Sequence, residues 1–222
     1  MREMRLEKKF VYQNGDISYK SFLINGMFKK IYPNRKINSI YFDCENLKNV
    51  WDNINGFGKR IKIRLRWYNN LFNKEVFLEE KKKINLMTVK NVKSLGIFKD
   101  TLELKKFIKK SLSQEKLISD KRLNLGEILT VSYDREYYQD VSKKLRVTID
   151  KNIKIFKDIE LKPIDIDKHI VEIKYQPKHS MFCNNFVLKN KLNNRNQKYS
   201  KYVNSFIELN DSGILWFKIF GI

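Results

Sequence analysis

Cysteine, histidine and proline are scarce in this sequence: two, two and three among 222 residues. Cys44 and Cys183 lie far apart and match no zinc spacing, so both are expected as free, buried thiols. His169 and His179 are equally isolated, which excludes a cage of His and Cys ligands around a metal. No apolar run approaches the roughly 18 residues that span a bilayer. Met1 to Lys9 is charged where a signal peptide carries its apolar region, so a soluble, cytoplasmic protein is expected. No Ser/Gly-rich linker or internal repeat marks a boundary, and residues 1–222 are read as a single domain. Gly56-Phe57-Gly58 lacks the third glycine of a dinucleotide fingerprint and is surrounded by strands.

Acidic residues are outnumbered, with 25 Asp and Glu against 46 Lys and Arg, a formal charge of +21. Apolar residues make up 42% and aromatic residues 13%, far more than a disordered basic tail carries. The charge therefore sits on a folded body and points to an anionic partner.

Several segments alternate charged and apolar residues with period two, which marks strands with one polar and one apolar face. Arg60, Lys62, Arg64 and Arg66 share one face, and Ile61, Ile63, Leu65 and Trp67 the other. Arg5, Glu7 and Lys9 oppose Leu6 and Phe10 in the same way. Glu79, Lys81 and Lys83 oppose Val76 and Leu78, while Arg146, Thr148 and Asp150 oppose Leu145, Val147 and Ile149. Glu172 and Lys174 oppose Val171 and Ile173. Further strands are expected at Ile37 to Asp43 and Ile128 to Tyr138. Between Lys83 and Gly126 the period turns helical, with Leu104, Phe107, Ile108 and Leu112 on one side and lysines on the other. Shorter helices are expected at Ile17 to Lys29, Glu45 to Ile54 and Lys198 to Ile207, and Asn184 to Gln197 is read as an exposed loop or frayed helix end.

The polar faces either meet solvent, where their charges only solubilise, or face one another. A solvent face ordinarily mixes Ser, Thr, Gln and both signs of charge, whereas cations recur here strand after strand. Were a sheet of about eight strands to close, these faces would line a lumen. Like charges 4 Å apart repel by roughly 4 kcal/mol even at an effective dielectric of about 20, so such a lumen would have to hold water and a polyanion. Phosphate chains suit it, because guanidinium groups grip their oxygens in pairs and ammoniums act as point charges. The interleaved carboxylates Glu7, Glu79, Asp150 and Glu172 could neutralise cations or hold a divalent metal through hard oxygens.

The order of these segments resembles that of VTC domains, the polyphosphate polymerase branch of the triphosphate tunnel metalloenzymes. Arg5-Leu6-Glu7-Lys8-Lys9-Phe10 resembles the opening R-x-E-x-K-F. Ser39-Ile40-Tyr41-Phe42-Asp43 is similar to the second strand, and Lys62-Ile63-Arg64-Leu65-Arg66-Trp67-Tyr68 to the paired-arginine strand. Leu78-Glu79-Glu80-Lys81-Lys82-Lys83 resembles the E-x-K strand. Tyr133-Asp134-Arg135, Arg146-Val147-Thr148-Ile149-Asp150, Val171-Glu172-Ile173-Lys174-Tyr175 and Ser200-Lys201-Tyr202 complete a series over roughly residues 3 to 207.

The resemblance implies an α+β fold: a closed antiparallel eight-stranded β-barrel with helices packed outside. It implies that Lys9, Arg64, Arg66, Lys81, Lys83, Arg135, Arg146 and Lys201 grip phosphates and carry the transfer, joined in binding by Lys90 and Lys174. Glu172 would hold Mn²⁺ or Mg²⁺, with Glu7 and Glu79 next in line. Lys83 stands where fungal polymerases carry a His, and the regulatory and membrane-spanning parts of those proteins are missing here, so coupling to translocation would need a membrane-protein partner. The activity implied is transfer of the γ-phosphoryl group of ATP onto inorganic polyphosphate. Hydrolysis of inorganic triphosphate and binding of a polyanion without turnover stand beside it. Specific nucleic-acid recognition is not expected, because no helix-turn-helix, zinc finger or RNA-binding aromatic signature occurs.

Overall fold

The computed structural model describes residues 5–24, 26–84, 87–113, 125–192 and 198–213. Its strands are β1 (Leu6–Gln13), β2 (Phe28–Cys44), β3 (Lys59–Tyr68), β4 (Lys74–Ile84), β5 (Met87–Phe98), β6 (Leu125–Asp140), β7 (Leu145–Phe156), β8 (Ile164–Ile166) and β9 (Lys168–Tyr175). Its helices are α1 (Ser21–Ile24), α2 (Lys48–Ile54), α3 (Thr101–Ser113), α4 (Ser180–Lys189) and α5 (Lys201–Asp211).

The strands form one antiparallel sheet in the order β1-β9-β7-β6-β2-β3-β4-β5, with β8 on β7. This order has two ends, β1 and β5, so the expected closed eight-stranded barrel is replaced by an open nine-stranded sheet. Alternation along a strand assigns its two faces but carries no information on closure, which depends on long-range stagger and tilt. Part of the region expected to be helical is β5, and the helix begins only at Thr101. Of the predicted Ile17 to Lys29 helix, only a 3-10 turn at Ser18–Lys20 and the single turn of α1 form, and β2 has begun by Phe28.

By internal packing the chain forms two compact units. The described residues within 5–36, 133–154 and 165–199 make the first. There β9 lies between β1 and β7, with Lys9 opposite Glu172 and Glu172 opposite Thr148. The face away from these polar residues is a core of Phe10, Tyr12, Leu145, Val147, Ile149, Val171 and Ile173, closed by Phe22, Phe28, Cys183 and Phe186. Asn184 thus falls within α4 rather than a loop, while residues 193–197 of that expected loop lie outside the described residues.

The described residues within 37–132, 155–164 and 200–213 make the second unit. Ile63, Leu65 and Trp67 of β3 pack with Val76 and Leu78 of β4, and α3 covers them with Leu104 and Ile108. Phe107 packs against this cluster, while the side chain of Leu112 lies outside the described residues. Between β4 and β5 the register slips at Val76/Phe77, and the surplus residue on β5 precedes Gly96 at φ +103°. Glycine alone takes that conformation cheaply, which places the bulge there. α2 begins after Leu47 in a left-handed conformation, with no cap from that side chain. Its first amides are met by Asp43, whose carboxylate accepts from the backbone N–H groups of Asn49 and Val50, each at 3.1 Å.

Both cysteines are free. Cys183 is buried as expected, but Cys44 is half-buried at the end of β2, with its thiol on the Asn46 side-chain oxygen at 3.0 Å. Among the described residues no helix is long and apolar enough to cross a membrane.

Candidate phosphate-binding faces

In the first unit the period-two pattern and the strand register set two polar rows side by side: Glu7, Lys174 and Arg146, then Lys9, Glu172 and Thr148. Lys9 Nζ lies 3.3 Å from Glu7 and 4.0 Å from Glu172, and donates to the Tyr199 carbonyl at 3.0 Å. Burial works against the Lys9 charge, but Glu172 and Glu7 more than offset it and raise its pKa. Glu172, only 6% exposed, also pairs with Lys174 at 2.7 Å. Arg135 on β6 makes a two-pronged contact with fully buried Asp150, Nε at 2.5 Å and Nη2 at 2.7 Å, and its guanidinium lies 5.3 Å from the Tyr133 ring centre. Burial disfavours the Arg135 charge, yet Asp150 reverses this and raises its pKa. Arg146 is exposed on the same polar face.

Glu79 organises the polar face of the second unit. Arg64, opposite it on β3, donates from Nε at 2.8 Å and places Nη2 at 2.6 Å from the same oxygen. Arg66 lies 3.5 Å away, and Lys90 on β5 meets the other oxygen at 2.6 Å. Burial alone would raise the Glu79 carboxyl, but Arg64, Arg66 and Lys90 hold it down at about 2. Arg66, 6% exposed, is steadied by the Ser39 hydroxyl at 3.2 Å. Arg64 Nη1 donates to the Tyr41 hydroxyl at 3.0 Å. The Tyr41 ring stacks on Tyr202, with centres 5.0 Å apart, and the Tyr202 hydroxyl donates to Asp43 at 2.8 Å. A buried carboxylate thus holds the tyrosine pair that aims a guanidinium. Lys81 faces Lys62 and Lys90 across the neighbouring strands, and Lys83 faces Arg60 and Thr88. Lys201 opens α5, directly after Ser200, whose hydroxyl receives Lys62 Nζ at 2.5 Å.

The expected site residues therefore gather as two sets. Glu7, Lys9, Arg135, Arg146, Glu172 and Lys174 belong to the first unit; Arg64, Arg66, Glu79, Lys81, Lys83, Lys90 and Lys201 belong to the second. Glu79, considered from sequence as a metal ligand, serves here as the common counter-ion of three cations. Lys62, Ser39, Tyr41 and Ser200 escaped the sequence-based list. Lys62 carried the signal of period-two identity with Arg64 and Arg66, whereas the hydroxyl partners become visible only through register.

Among the described residues no cluster of three His, Cys, Asp or Glu side chains is placed to hold a metal. The set around Glu172 fits a different mode. The Thr148 hydroxyl across from Glu172 is buried and has no hydrogen-bond partner. Mg²⁺ is commonly held by one or two carboxylates while substrate phosphates supply other ligands.

No curated protein matches the chain. Among solved structures it resembles a candidate adenylate cyclase from Bacillus halodurans, at 13% identity and TM-score 0.55, over 90% of this chain and 95% of that one. It also resembles a candidate adenylyl cyclase from Hippeastrum, described as having a dominant triphosphatase activity, at 13% identity and TM-score 0.54, over 96% and 97%. A protein from Pyrococcus horikoshii OT3 matches at 17% identity and TM-score 0.50, over 91% and 99%. These likenesses establish a shared fold. The family model of the VTC domain matches residues 5–210, nearly the whole described sequence, and the chain belongs to the VTC domain family.

Proposed function

We propose that this chain is a phosphotransferase that moves the γ-phosphoryl group of ATP onto inorganic polyphosphate. The observation that carries this reading is the pair Arg64 and Arg66, buried or half-buried on a single β-strand and pre-aimed by Glu79, Ser39 and Tyr41. Guanidinium groups held this way lose little freedom when phosphate oxygens arrive, so binding energy goes into position and charge neutralisation rather than ordering. Lys81, Lys83, Lys90 and Lys201 add point charges on the second unit. Lys9, Arg135, Arg146 and Lys174 form the corresponding grip on the first.

In the transfer, the bond from the γ-phosphorus to the β,γ-bridging oxygen breaks, a terminal oxygen of the polyphosphate chain bonds to that phosphorus, and ADP leaves. The protein contributes alignment and positive charge, which dominate phosphoryl transfer. Glu172 and the Thr148 hydroxyl would hold Mn²⁺ or Mg²⁺, which when bound neutralises charge on the phosphate oxygens. Hydrolysis, with water as acceptor, is the second reading, favoured by the triphosphatase activity described for the Hippeastrum relative.

Incubation of the purified protein with ATP and Mn²⁺, resolved on a polyphosphate gel, tests both. A ladder of products is expected. Free phosphate without a ladder would replace transfer by hydrolysis, and unchanged ATP would leave a binding module. Glu172→Gln keeps the shape but removes the anionic ligand, so turnover should fall by at least a hundredfold while tripolyphosphate binding persists. Normal turnover in this variant across divalent metals would overturn the assignment of Glu172.

A further inference from the structure

On the side of the first unit away from its phosphate-binding face, α4 covers the apolar core with Cys183 and Phe186. Its outer side is apolar as well. Met181 is 77% exposed, and Leu188, seven residues on and therefore on the same stripe, is 75% exposed. A helix that is apolar all round ordinarily lies buried, yet this one sits on the surface of a chain of charge +21. Exposed cations frame it: Lys178 precedes it, Lys189 closes it and Lys191 follows. Lys8 on β1 donates from Nζ to the Asn184 side chain at 2.7 Å. Two more exposed apolar residues stand on segments tied to α4. Phe28 meets Phe186 with ring centres 5.2 Å apart, and Met27 before it is 39% exposed. The Val141 amide donates to the Met27 carbonyl at 2.9 Å, and Val141 is 61% exposed. Lys144, from the same turn, lies 4.6 Å from the centre of the Phe182 ring on α4. Buried Asp140 holds this turn by accepting from the amides of Ser142 at 3.0 Å and Leu145 at 2.6 Å, so its carboxylate is not presented to solvent.

We infer that the α4 side of the first unit docks on an anionic lipid bilayer, with exposed apolar side chains entering the headgroup boundary and the lysines around them meeting lipid phosphates and carboxylates. Charge sets the sign of the occupant. Residues 17–36, 141–149 and 173–192, which supply this surface, contain twelve Lys or Arg and no Asp or Glu. Glu136 on β6, within electrostatic reach of Lys30, is already engaged by Lys151 at 2.7 Å and by the Tyr138 hydroxyl at 2.9 Å. Side-chain type sets the class. Nucleic-acid strands reward aromatic platforms on which bases stack, whereas Met, Leu and Val among lysines gain from hydrocarbon beneath anionic headgroups. Lysine stems can run along that apolar layer while their ammoniums stay in water. Because α4 and the phosphate-binding face lie on opposite sides of the sheet, docking leaves that face open, and it does not depend on the transfer proposed above.

Flotation of the full chain with vesicles tests this, one set made of phosphatidylcholine alone and the other an equimolar mixture with phosphatidylserine. Binding to the mixed vesicles and not to the neutral ones is expected. Met181→Gln combined with Leu188→Gln changes no charge and keeps good helix formers at two exposed positions, so the variant should fold with an unchanged melting temperature. It should weaken binding to the mixed vesicles roughly tenfold or more. Lys178→Gln combined with Lys189→Gln should do the same by removing two charges near the headgroups. At constant ionic strength, saturating tripolyphosphate should leave the vesicles bound. Displacement by tripolyphosphate would put lipid on the phosphate-binding face and overturn docking through α4. Equal binding to neutral vesicles, binding to neither kind, or full binding by the Met181 and Leu188 variant would overturn it too. Single-stranded RNA that binds the unsubstituted chain and is lost in that same variant would make this surface a nucleic-acid face instead.

Discussion

A single carboxylate, Glu79, sets the charge balance of three cations in the second unit, and its titration should be readable in the stability of the whole protein. Folded, it stays ionised down to about 2; its ordinary value is 4.5. Between these values the unfolded chain binds more protons, so a contribution fully present above about pH 4.5 is lost as pH falls towards 2. Its size is on the order of 3 kcal/mol. Urea denaturation from pH 5 to pH 2 should therefore show a steeper loss of stability in the unsubstituted protein than in Glu79→Gln. Equal slopes would mean that the three cations do not depend on this carboxylate. Lys90 responds in the opposite sense: burial lowers its pKa, with Glu79 only partly compensating. Arriving phosphate should raise it, so binding is expected to take up protons at high pH, a change visible as buffer-dependent heat in calorimetry.

At the level of elements, the join between β2, α2 and α5 is made by Asp43, which is fully buried and accepts from the backbone amides of Cys44, Asn49 and Val50, the Asn49 side-chain amide and the Tyr202 hydroxyl. Asp43→Ala strands these donors and should cost about 3 kcal/mol, a fall in melting temperature of roughly 6 to 12 °C. Tyr202→Phe removes only one bond while keeping the ring stack and should cost about 1 kcal/mol. Scanning calorimetry of both variants checks the ranking. The strands that were legible in the sequence are those with one polar and one apolar face, such as β3, where Arg64 and Ile63 alternate cleanly. β5 was not legible: with residues exposed on both faces, Val89 and Val92 among them, it shows no amphipathic alternation. α4 was masked because apolar residues stand on both of its sides: Cys183 and Phe186 are buried while Met181 and Leu188 are exposed, so no amphipathic period shows. The cations of the site could be read from their recurrence. Their partners could not, since Glu79 with Lys90 and Arg135 with Asp150 meet through register between strands.

For the whole molecule, the positive charge predicts ligand-linked stability. A ligand that binds only the folded chain adds about 2.7 kcal/mol at a hundredfold excess over its dissociation constant, so tripolyphosphate should raise the melting temperature by roughly 5 to 10 °C. Thermal shift measurements at rising salt separate a built site from a diffuse field. At 0.3 M the screening length is roughly 6 Å, and contacts made by buried Arg66 should survive it better than those of surface lysines. The pairing of β1 with β9 has a consequence for how the protein is made. Leu6 finds its partner Tyr175 some 170 residues later. At a synthesis rate of about 5 to 20 residues per second, the first strand waits on the ribosome for roughly 10 to 30 s before the last strand emerges. Throughout that interval the apolar side of β1, with Phe10 and Tyr12, has no native surface of β9 to cover it, and nascent-chain chaperones can hold it. Pulse labelling during refolding should show amide protection arising in β1 only together with β9, so that β1 is among the last strands to be secured.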